Sequence, residues 1–192
     1  MSIRGGLKAV AIVLVTLSAA YVLGTKVGGL VVQKKQREQR FVRSLQTKEL
    51  LNKMGTLKVG DALSDHTFQG LDRQFYRLSS LLQNHTVISI FDYHCDNCIA
   101  ELQEIANTVR DSIEAKHIIL ISGSNPLQLL ELRDTYEVPC RILYDEDRLF
   151  LDQYDINTYP FNIIVDDSLR IEDVVAGSLQ RDELRQLCRD DT

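Results

Sequence analysis

Near its middle the chain reads Thr86-Val87-Ile88-Ser89-Ile90-Phe91-Asp92-Tyr93-His94-Cys95-Asp96-Asn97-Cys98. The first part of this segment is apolar and β-branched, has the length of a strand, and leads into a Cys-x-x-Cys pair. Apolar residues then recur at helical spacing, at Ile99, Leu102, Ile105, Ala106, Val109 and Ile113. The pair is therefore predicted to lie where a buried strand passes into the N-terminus of a helix.

This position favours redox chemistry at the two cysteines. The unpaired N–H groups and the dipole of a helix N-terminus stabilise a thiolate, which is the form of cysteine that attacks disulfides. The i, i+3 spacing places Cys95 and Cys98 on the same side of the first turn, close enough to form a disulfide. A redox-active pair is predicted, and a permanent structural disulfide is the alternative.

Length and composition indicate one globular domain with an appendage. The chain has 192 residues, of which 44% are apolar and 26% charged, an ordinary globular composition. Its formal net charge of −5 does not support nucleic-acid binding. Cys140 and Cys188 have no motif around them, and four cysteines are too few for a disulfide-stapled scaffold of this length. Both are therefore predicted to be buried apolar side chains.

An uncharged run of 17 residues, 9–25, lies between Lys8 and Lys26. It predicts a membrane anchor within residues 1–32, which Lys26 could lengthen by reaching towards the membrane surface. A cleaved signal peptide is the alternative, because a basic start is followed by Ser18-Ala19-Ala20, a passable cleavage site. More positive charges follow the run than precede it, which by the positive-inside rule favours a cytoplasmic C-terminal domain. The Cys-x-x-Cys motif argues only weakly for the opposite side, so the sequence leaves the orientation open.

The remaining pattern predicts a basic, helical linker over residues 33–56 and an α/β domain over residues 57–192. In the domain, a hairpin and a helical turn precede the Cys-x-x-Cys segment, and strand and helix patterns alternate after it. A second hairpin and a last helix, about Leu179 to Cys188 with its cap at Gly177-Ser178, complete the chain. This order predicts a mixed sheet with helices on both faces.

Over about residues 57–188 the chain resembles the thioredoxin fold, and within it the TlpA/ResA-like membrane-anchored thiol–disulfide oxidoreductases. The strand–Cys95-x-x-Cys98–helix order carries the resemblance, together with Pro160 before a buried strand, where the family has a cis-proline. The segment Val138–Tyr159 between them resembles the family's insertion, with Tyr154-Asp155-Ile156 in place of a tyrosine–glycine–valine stretch.

Two residues depart from the family's pattern. His94 stands where relatives usually carry tryptophan, and a bulky Tyr159 precedes Pro160. Both positions border the active site in relatives, so the substrate preference does not transfer. The resemblance implies that His94, Tyr159 and Pro160 lie against the substrate, with the backbone of Tyr159 pairing with a substrate strand.

The resemblance also implies roles for the site residues. Cys95, nearer the helix start, would be the attacking thiolate, and Cys98 would resolve the mixed disulfide. Glu101 matches an acidic residue that relatives often carry, which predicts proton transfer from Cys98; an ordinary surface glutamate is the alternative. Asp96 places a negative charge beside the thiols, which opposes a strongly lowered thiol pKa and favours a reducing or intermediate potential.

These observations predict a membrane-tethered thiol–disulfide oxidoreductase, and the resemblance to the TlpA/ResA-like proteins implies that its catalytic domain lies outside the cytoplasmic membrane. Its partners would be protein thiols and disulfides and a membrane or soluble thiol electron donor, and no metal, other cofactor or nucleic acid is expected. Three alternatives remain. A peroxiredoxin would need Thr at the position of Asp92, copper or zinc could bind Cys95, Cys98 and His94, and a tethered domain could bind a partner without turnover.

Overall fold

The computed structural model describes residues 34, 35, 38, 42, 43, 45–49 and 57–188. The strands are β1 (Thr67–Gly70), β2 (Phe75–Arg77), β3 (Thr86–Ile90), β4 (Ile118–Ser122), β5 (Arg141–Tyr144), β6 (Phe161–Val165) and β7 (Ile171–Ala176). The α-helices of residues 57–188 are α1 (Asp96–Asp111), α2 (Pro126–Thr135), α3 (Leu149–Gln153) and α4 (Arg181–Leu187). Short 3₁₀ turns lie at Leu78–Ser80, Ala115–His117 and Glu146–Arg148.

The seven strands form one sheet in the order β2-β1-β5-β4-β3-β6-β7. Strands β3, β4 and β5 are parallel to one another, and the other neighbouring pairs are antiparallel. The predicted mixed α/β sheet is confirmed. Because parallel strands end at the same edge of a sheet, the segments that follow β3, β4 and β5 meet there. This edge carries the Cys-x-x-Cys pair.

Two apolar clusters cover the two faces of the sheet. Ile88 and Ile90 of β3 pack in one cluster, and Val87 packs in the other with Leu102 and Ile105 of α1. All five residues of β3 are buried, as the apolar run predicts for a strand covered on both faces. Each such aliphatic side chain contributes about 1.5–3 kcal/mol on burial. The cysteine pair therefore continues from a strand fixed on both sides.

Helix α1 buries one apolar stripe against this sheet, which includes Leu102, Ile105 and Ala106. Asp96 in its first turn and Arg110 in its last turn complement the helix dipole. The helix ends at Ser112, which leaves helical backbone geometry while its N–H still bonds to Thr108. It is thus a few residues shorter than the extent to about Ala115 that the sequence predicts.

The last helix starts later than predicted. Helix α4 runs from Arg181 to Leu187, and its N-cap is Gln180, which forms a capping box with Glu183. The predicted cap at Gly177-Ser178 is wrong. Gly177 instead has φ of +96° in the loop that leaves β7, a conformation that favours glycine.

The chain divides into two units, residues 1–42 and residues 43–192. In the first unit the described residues 34, 35, 38 and 42 are helical, with Lys34 and Glu38 4.0 Å apart in an exposed ion pair. The predicted anchor at residues 1–32 lies outside the described residues. Among those that the structure describes, no helix has both the length and the apolar character needed to cross a membrane.

Residues 43–49, here called the 43–49 segment, belong to the second unit, and its described residues Arg43 and 45–49 are helical. Arg43 Nη1 lies 3.0 Å from Glu183 Oε2 on α4. The hydroxyl of Thr47, which is 4% exposed, accepts a 3.1 Å hydrogen bond from the N–H of Ala176 at the end of β7. This part of the predicted linker therefore packs on the α/β domain.

Candidate redox site

Cys95 and Cys98 form a disulfide at the start of α1. Cys95 is the N-cap residue, and its Sγ accepts a 3.1 Å hydrogen bond from the N–H of Cys98. Cys95 is half-buried, whereas Cys98 has no exposed surface. Cys95 is therefore the cysteine of the pair that retains exposed surface, and the N–H of Cys98 points at its sulfur.

The turn between β3 and α1 is organised by Asp92. Its Oδ1 accepts the N–H of His94 at 2.9 Å, and its Oδ2 accepts the hydroxyl of Ser124 at 3.4 Å. Ser124 Oγ in turn accepts the N–H of Tyr93 at 3.0 Å, which ties the turn to the segment after β4. The side chain of His94 is exposed beside Cys95, and its ring packs edge-on against Tyr93. His94 thus lies at the surface that a substrate of Cys95 would meet.

Glu101 lies on α1 one turn after Cys98 and is 2% exposed. Its Oε1 accepts the N–H of Leu179 at 2.6 Å and the Nδ2 group of Asn162 at 3.0 Å. Its Oε2 accepts the hydroxyl of Ser89 at 3.3 Å. The alternative of an ordinary surface glutamate is therefore wrong.

Burial raises the pKa of Glu101 to about 7. The hydrogen bonds from Leu179, Asn162 and Ser89 and the positive charge of Arg43 act in the opposite direction, because each stabilises the carboxylate. A carboxyl group with this pKa gains and loses its proton near neutral pH.

The residues that hold Glu101 were not predicted from the sequence. Ser89 on β3 lies directly opposite Asn162 on β6 in the strand register. Both are wholly buried. The sequence did contain an indication of them, because each is a polar residue within an otherwise apolar strand. A buried polar side chain needs a hydrogen-bond partner. Asn162 Nδ2 also donates to the carbonyl of Gly177 at 3.0 Å, which joins the network to the loop after β7.

Pro160 follows a cis peptide bond from Tyr159, at the residue where the resemblance predicts one. The hydroxyl of Tyr159 accepts a 3.0 Å hydrogen bond from Arg148 Nη1. Arg148 also contacts Asp152 and the carbonyl of Ile156, at 3.3 and 3.4 Å. No sequence pattern pointed to Arg148, which lies after β5 and holds Tyr159 at the edge of the sheet that carries the disulfide.

The other two cysteines are buried and free, as predicted. Burial raises the pKa of both the Cys140 and Cys188 thiols to about 12, so neither forms a thiolate near neutral pH. Over the part of the chain that the structure describes, no group of three or more His, Cys, Asp or Glu side chains is arranged to hold a metal ion.

Comparison with solved structures defines the fold class. The chain is similar to a secreted Mycobacterium tuberculosis disulfide oxidoreductase homologous to E. coli DsbE, with 15% identity over 65% of this chain and 94% of that one and a TM-score of 0.55. It is also similar to a thioredoxin-family thiol:disulfide interchange protein from Chlorobium tepidum TLS (12% identity, 69% and 96% covered, TM-score 0.58). A third similar structure is the peroxidoxin BcpB from Mycobacterium tuberculosis (15% identity, 69% and 94% covered, TM-score 0.56). The predicted thioredoxin-like fold is confirmed.

Sequence comparison defines the family. A search of curated protein sequences finds no match. The profile of the AhpC/TSA family matches residues 59–174, which is more than half of the chain and includes Cys95, Cys98, Glu101 and Pro160. With this match and a thioredoxin-like fold around a Cys95–Cys98 disulfide, the chain belongs to the AhpC/TSA family.

Proposed function

We propose that the protein is a thiol–disulfide oxidoreductase that exchanges its Cys95–Cys98 disulfide with the thiols of protein substrates. One observation carries the proposal: the disulfide lies at the N-terminus of α1, with a buried carboxyl group of pKa about 7 one turn further along the same helix. A permanent structural disulfide has no need of such a group, whereas reversible exchange has to move a proton at each turnover.

In the reducing direction the thiolate of Cys95 attacks a substrate disulfide. A bond forms between Cys95 Sγ and one substrate sulfur, and the other substrate sulfur leaves as a thiolate. The thiol of Cys98 then loses its proton and attacks Cys95 Sγ, which forms the Cys95–Cys98 disulfide and releases the second substrate thiolate. Two electrons pass from the protein dithiol to the substrate, and a thiol donor restores the dithiol.

Glu101 accepts the proton that Cys98 loses in this scheme. Cys98 has no exposed surface, so bulk water does not reach its sulfur in the folded protein. A carboxyl group one turn away on the same helix supplies a nearby base, and a pKa of about 7 lets the group act as base or acid near neutrality. The same group returns the proton when the disulfide is reduced.

His94, Tyr159 and Pro160 form the substrate side of the proposed site. His94 is exposed beside Cys95, and Tyr159 is half-buried with its hydroxyl held by Arg148. An extended substrate segment would lie along the backbone of Tyr159 next to Cys95 Sγ. Asp96 beside the thiols supports a reducing or intermediate potential, because its negative charge opposes a strongly lowered thiol pKa.

We also propose that residues 1–32 tether the domain to the cytoplasmic membrane, with the catalytic domain on its outer side. The uncharged run at residues 9–25 supports a tether. The resemblance to the TlpA/ResA-like proteins supports the location.

Peroxide reduction is a second candidate function. It is favoured by membership of the AhpC/TSA family and by the similarity to the peroxidoxin BcpB. In this reaction the thiolate of Cys95 would attack one peroxide oxygen, which breaks the O–O bond, releases the other oxygen as water or an alcohol, and leaves a sulfenic acid. Cys98 would then attack that sulfur, which forms the disulfide and releases water. Asp92 argues against it, because a carboxylate replaces the threonine of peroxiredoxins and is engaged by His94 and Ser124.

The test is a redox titration of the full-length protein in which free thiols are trapped by alkylation. We expect a reversible two-electron transition at about −180 to −270 mV, between protein disulfide isomerase and thioredoxin. Cys95→Ser and Cys98→Ser should each abolish it, and insulin reduction with it. The matched control, the double variant of Cys140→Ser and Cys188→Ser, should retain both. A transition that survives Cys95→Ser would contradict the proposal, and rapid peroxide consumption without insulin reduction would favour the second candidate.

A further inference from the structure

The 43–49 segment contacts the α/β domain at two residues on either side of one loop. Thr47 Oγ1 accepts the N–H of Ala176, the last residue of β7. Arg43 Nη1 lies 3.0 Å from Glu183 Oε2, in the first turn of α4. Residues 177–180, here called the 177–180 loop, run between these two points.

The same loop supplies two of the contacts that hold the Glu101 network. Leu179 donates its N–H to Glu101 Oε1 at 2.6 Å, and the carbonyl of Gly177 accepts from Asn162 Nδ2 at 3.0 Å. The second end of the loop is fixed by Glu183, whose Oε2 accepts the N–H of Gln180 at 2.9 Å as well as the guanidinium of Arg43. A single carboxylate oxygen thus connects Arg43 to the residue after Leu179.

We propose that Arg43 and Thr47 are positioning residues of the redox site, which clamp the two ends of the 177–180 loop so that Leu179 and Gly177 meet Glu101 and Asn162. The inference rests on the proposed function, in which Glu101 serves the thiols. The pKa of Glu101 then depends on the 43–49 segment as well as on the thioredoxin-like domain.

The charges around Glu101 give the direction of the effect. Strands β3 and β6 contribute the uncharged Ser89 and Asn162, and on α1 the carboxylate of Glu104 is paired with Arg181 at 2.7 Å. From the 43–49 segment the guanidinium of Arg43, which is paired with Glu183, lowers the pKa of Glu101. Removing Arg43 therefore raises this pKa, and loosening Leu179 acts in the same direction because a donor to the carboxylate is lost.

The experiment is a carbon-13 NMR titration of the Glu101 carboxyl in the oxidised full-length protein. We expect Arg43→Gln to move the titration midpoint of Glu101 upward by about 0.5 pH unit or more. The positive charge of Arg43 is lost, and the hydrogen bond from Leu179 to the carboxylate weakens. Thr47→Val should move it upward by a smaller amount, and Arg43→Lys should recover most of the wild-type midpoint. The pH midpoint of Cys98 alkylation in the reduced protein should shift in the same direction.

Arg185→Gln is the matched control, because it removes one positive charge from α4 at a residue that bonds to Ser112 instead of Glu183. An unchanged midpoint in Arg43→Gln, or an equal shift in Arg185→Gln, would overturn the inference. Thermal unfolding shows whether each variant folds. If Arg43→Gln does not fold, the titration midpoint of Glu101 in Thr47→Val tests the inference instead. The carboxyl titration does not depend on thiol exchange, so a protein without a Cys95–Cys98 redox transition would refute the proposed function and leave this measurement standing.

Discussion

The two oxygens of Glu101 have different surroundings. Oε1 accepts N–H groups from Leu179 and Asn162, whereas Oε2 meets the hydroxyl of Ser89. An N–H group cannot accept a hydrogen bond from the acid O–H, so the proton of the neutral acid resides on Oε2, where the hydroxyl of Ser89 can rotate from donor to acceptor. The side of the carboxyl group that exchanges protons is thereby fixed by the residues around it.

Gly177 provides a residue-level test of this network. It has φ of +96°, and a Cβ added there would meet nothing within 4 Å, so Gly177→Ala changes backbone preference without a clash. We expect a loss of about 1 kcal/mol in the free energy of unfolding, because alanine disfavours this conformation. The Glu101 midpoint should also move upward, as the loop that carries Leu179 shifts. Urea unfolding and the carboxyl titration measure the two effects.

Gly60→Ala is the control for this prediction. Gly60 has φ of +94° and equally open space around its Cβ position. The two variants should lose similar stability, and the Glu101 midpoint should respond to Gly177→Ala alone. Equal midpoints in both variants would show that the loop does not determine the proton affinity of Glu101.

At the level of single residues, the sequence predicts those site residues that lie close together in the chain. Cys95, Cys98 and Glu101 share one helix, so their spacing already places them together. Ser89, Asn162 and Leu179 reach the same carboxylate through strand pairing and a loop, and no local pattern encodes that register. Two polar residues in apolar strands were the available signal, although the pattern alone does not name their partner.

Among the secondary-structure elements, α3 is held at its start by a side chain outside the helix. The helix begins after two residues with left-handed backbone, Asp147 and Arg148, and its first N–H groups need an acceptor. The buried carboxylate of Asp145 accepts the N–H of Phe150 at 3.1 Å and that of Leu151 at 2.9 Å. Asp145 therefore fixes the start of α3 and, with it, the turn from which Arg148 reaches Tyr159.

Replacement of Asp145 tests this element. Asp145→Ala leaves two buried N–H groups without an acceptor and should lower the free energy of unfolding by about 2–3 kcal/mol. Asp145→Asn keeps one acceptor oxygen and should cost roughly half as much. Asp152→Asn is the control, since this exposed residue makes a surface ion pair with Arg148, and its effect should stay within about 0.5 kcal/mol. Denaturant unfolding separates the three variants, and equal losses would contradict the role of Asp145.

The order and type of the elements were predictable, because β3 to β6 are apolar runs and α1 has helical spacing. Their ends were less predictable. The cap of α4 lies at Gln180 and not at Gly177-Ser178, since Gly177 serves a turn and the capping box uses Glu183. Asp147 and Arg148 have left-handed backbone although neither is glycine, so the sequence does not indicate this conformation. Packing and the capping of α3 impose it.

For the molecule as a whole, Glu101 links stability to pH. The pKa of Glu101 is about 7 in the folded protein and close to the model-peptide value of 4.5 once the chain unfolds. Between these values the folded state binds more protons than the unfolded state, so this group lowers the free energy of unfolding as pH rises. The contribution is complete below pH 4.5 and is lost by the time pH passes 7.

Glu101→Gln isolates this effect, because an amide can accept from Leu179 and Asn162 without titrating. Relative to this variant, the oxidised wild-type protein should lose about 3 kcal/mol of unfolding free energy between pH 4.5 and pH 8. Urea unfolding of both proteins at three or four pH values in this range measures the difference between their free energies of unfolding. The other titrating groups are the same in both proteins, so their contributions cancel. Parallel profiles for the two proteins would show that Glu101 keeps an ordinary pKa in the folded state.

The groups that meet at Glu101 come from β3, α1, β6 and the loop before α4, and they are separated widely along the chain. During synthesis the ribosome releases both cysteines long before Asn162 and Leu179 emerge. A nascent chain that ends before Asn162 thus carries Cys95, Cys98 and Glu101, but it lacks two of the groups that hold the Glu101 carboxyl group. The surroundings that raise and hold the pKa of Glu101 are therefore complete only after Leu179 has been synthesised and has folded against the carboxyl group.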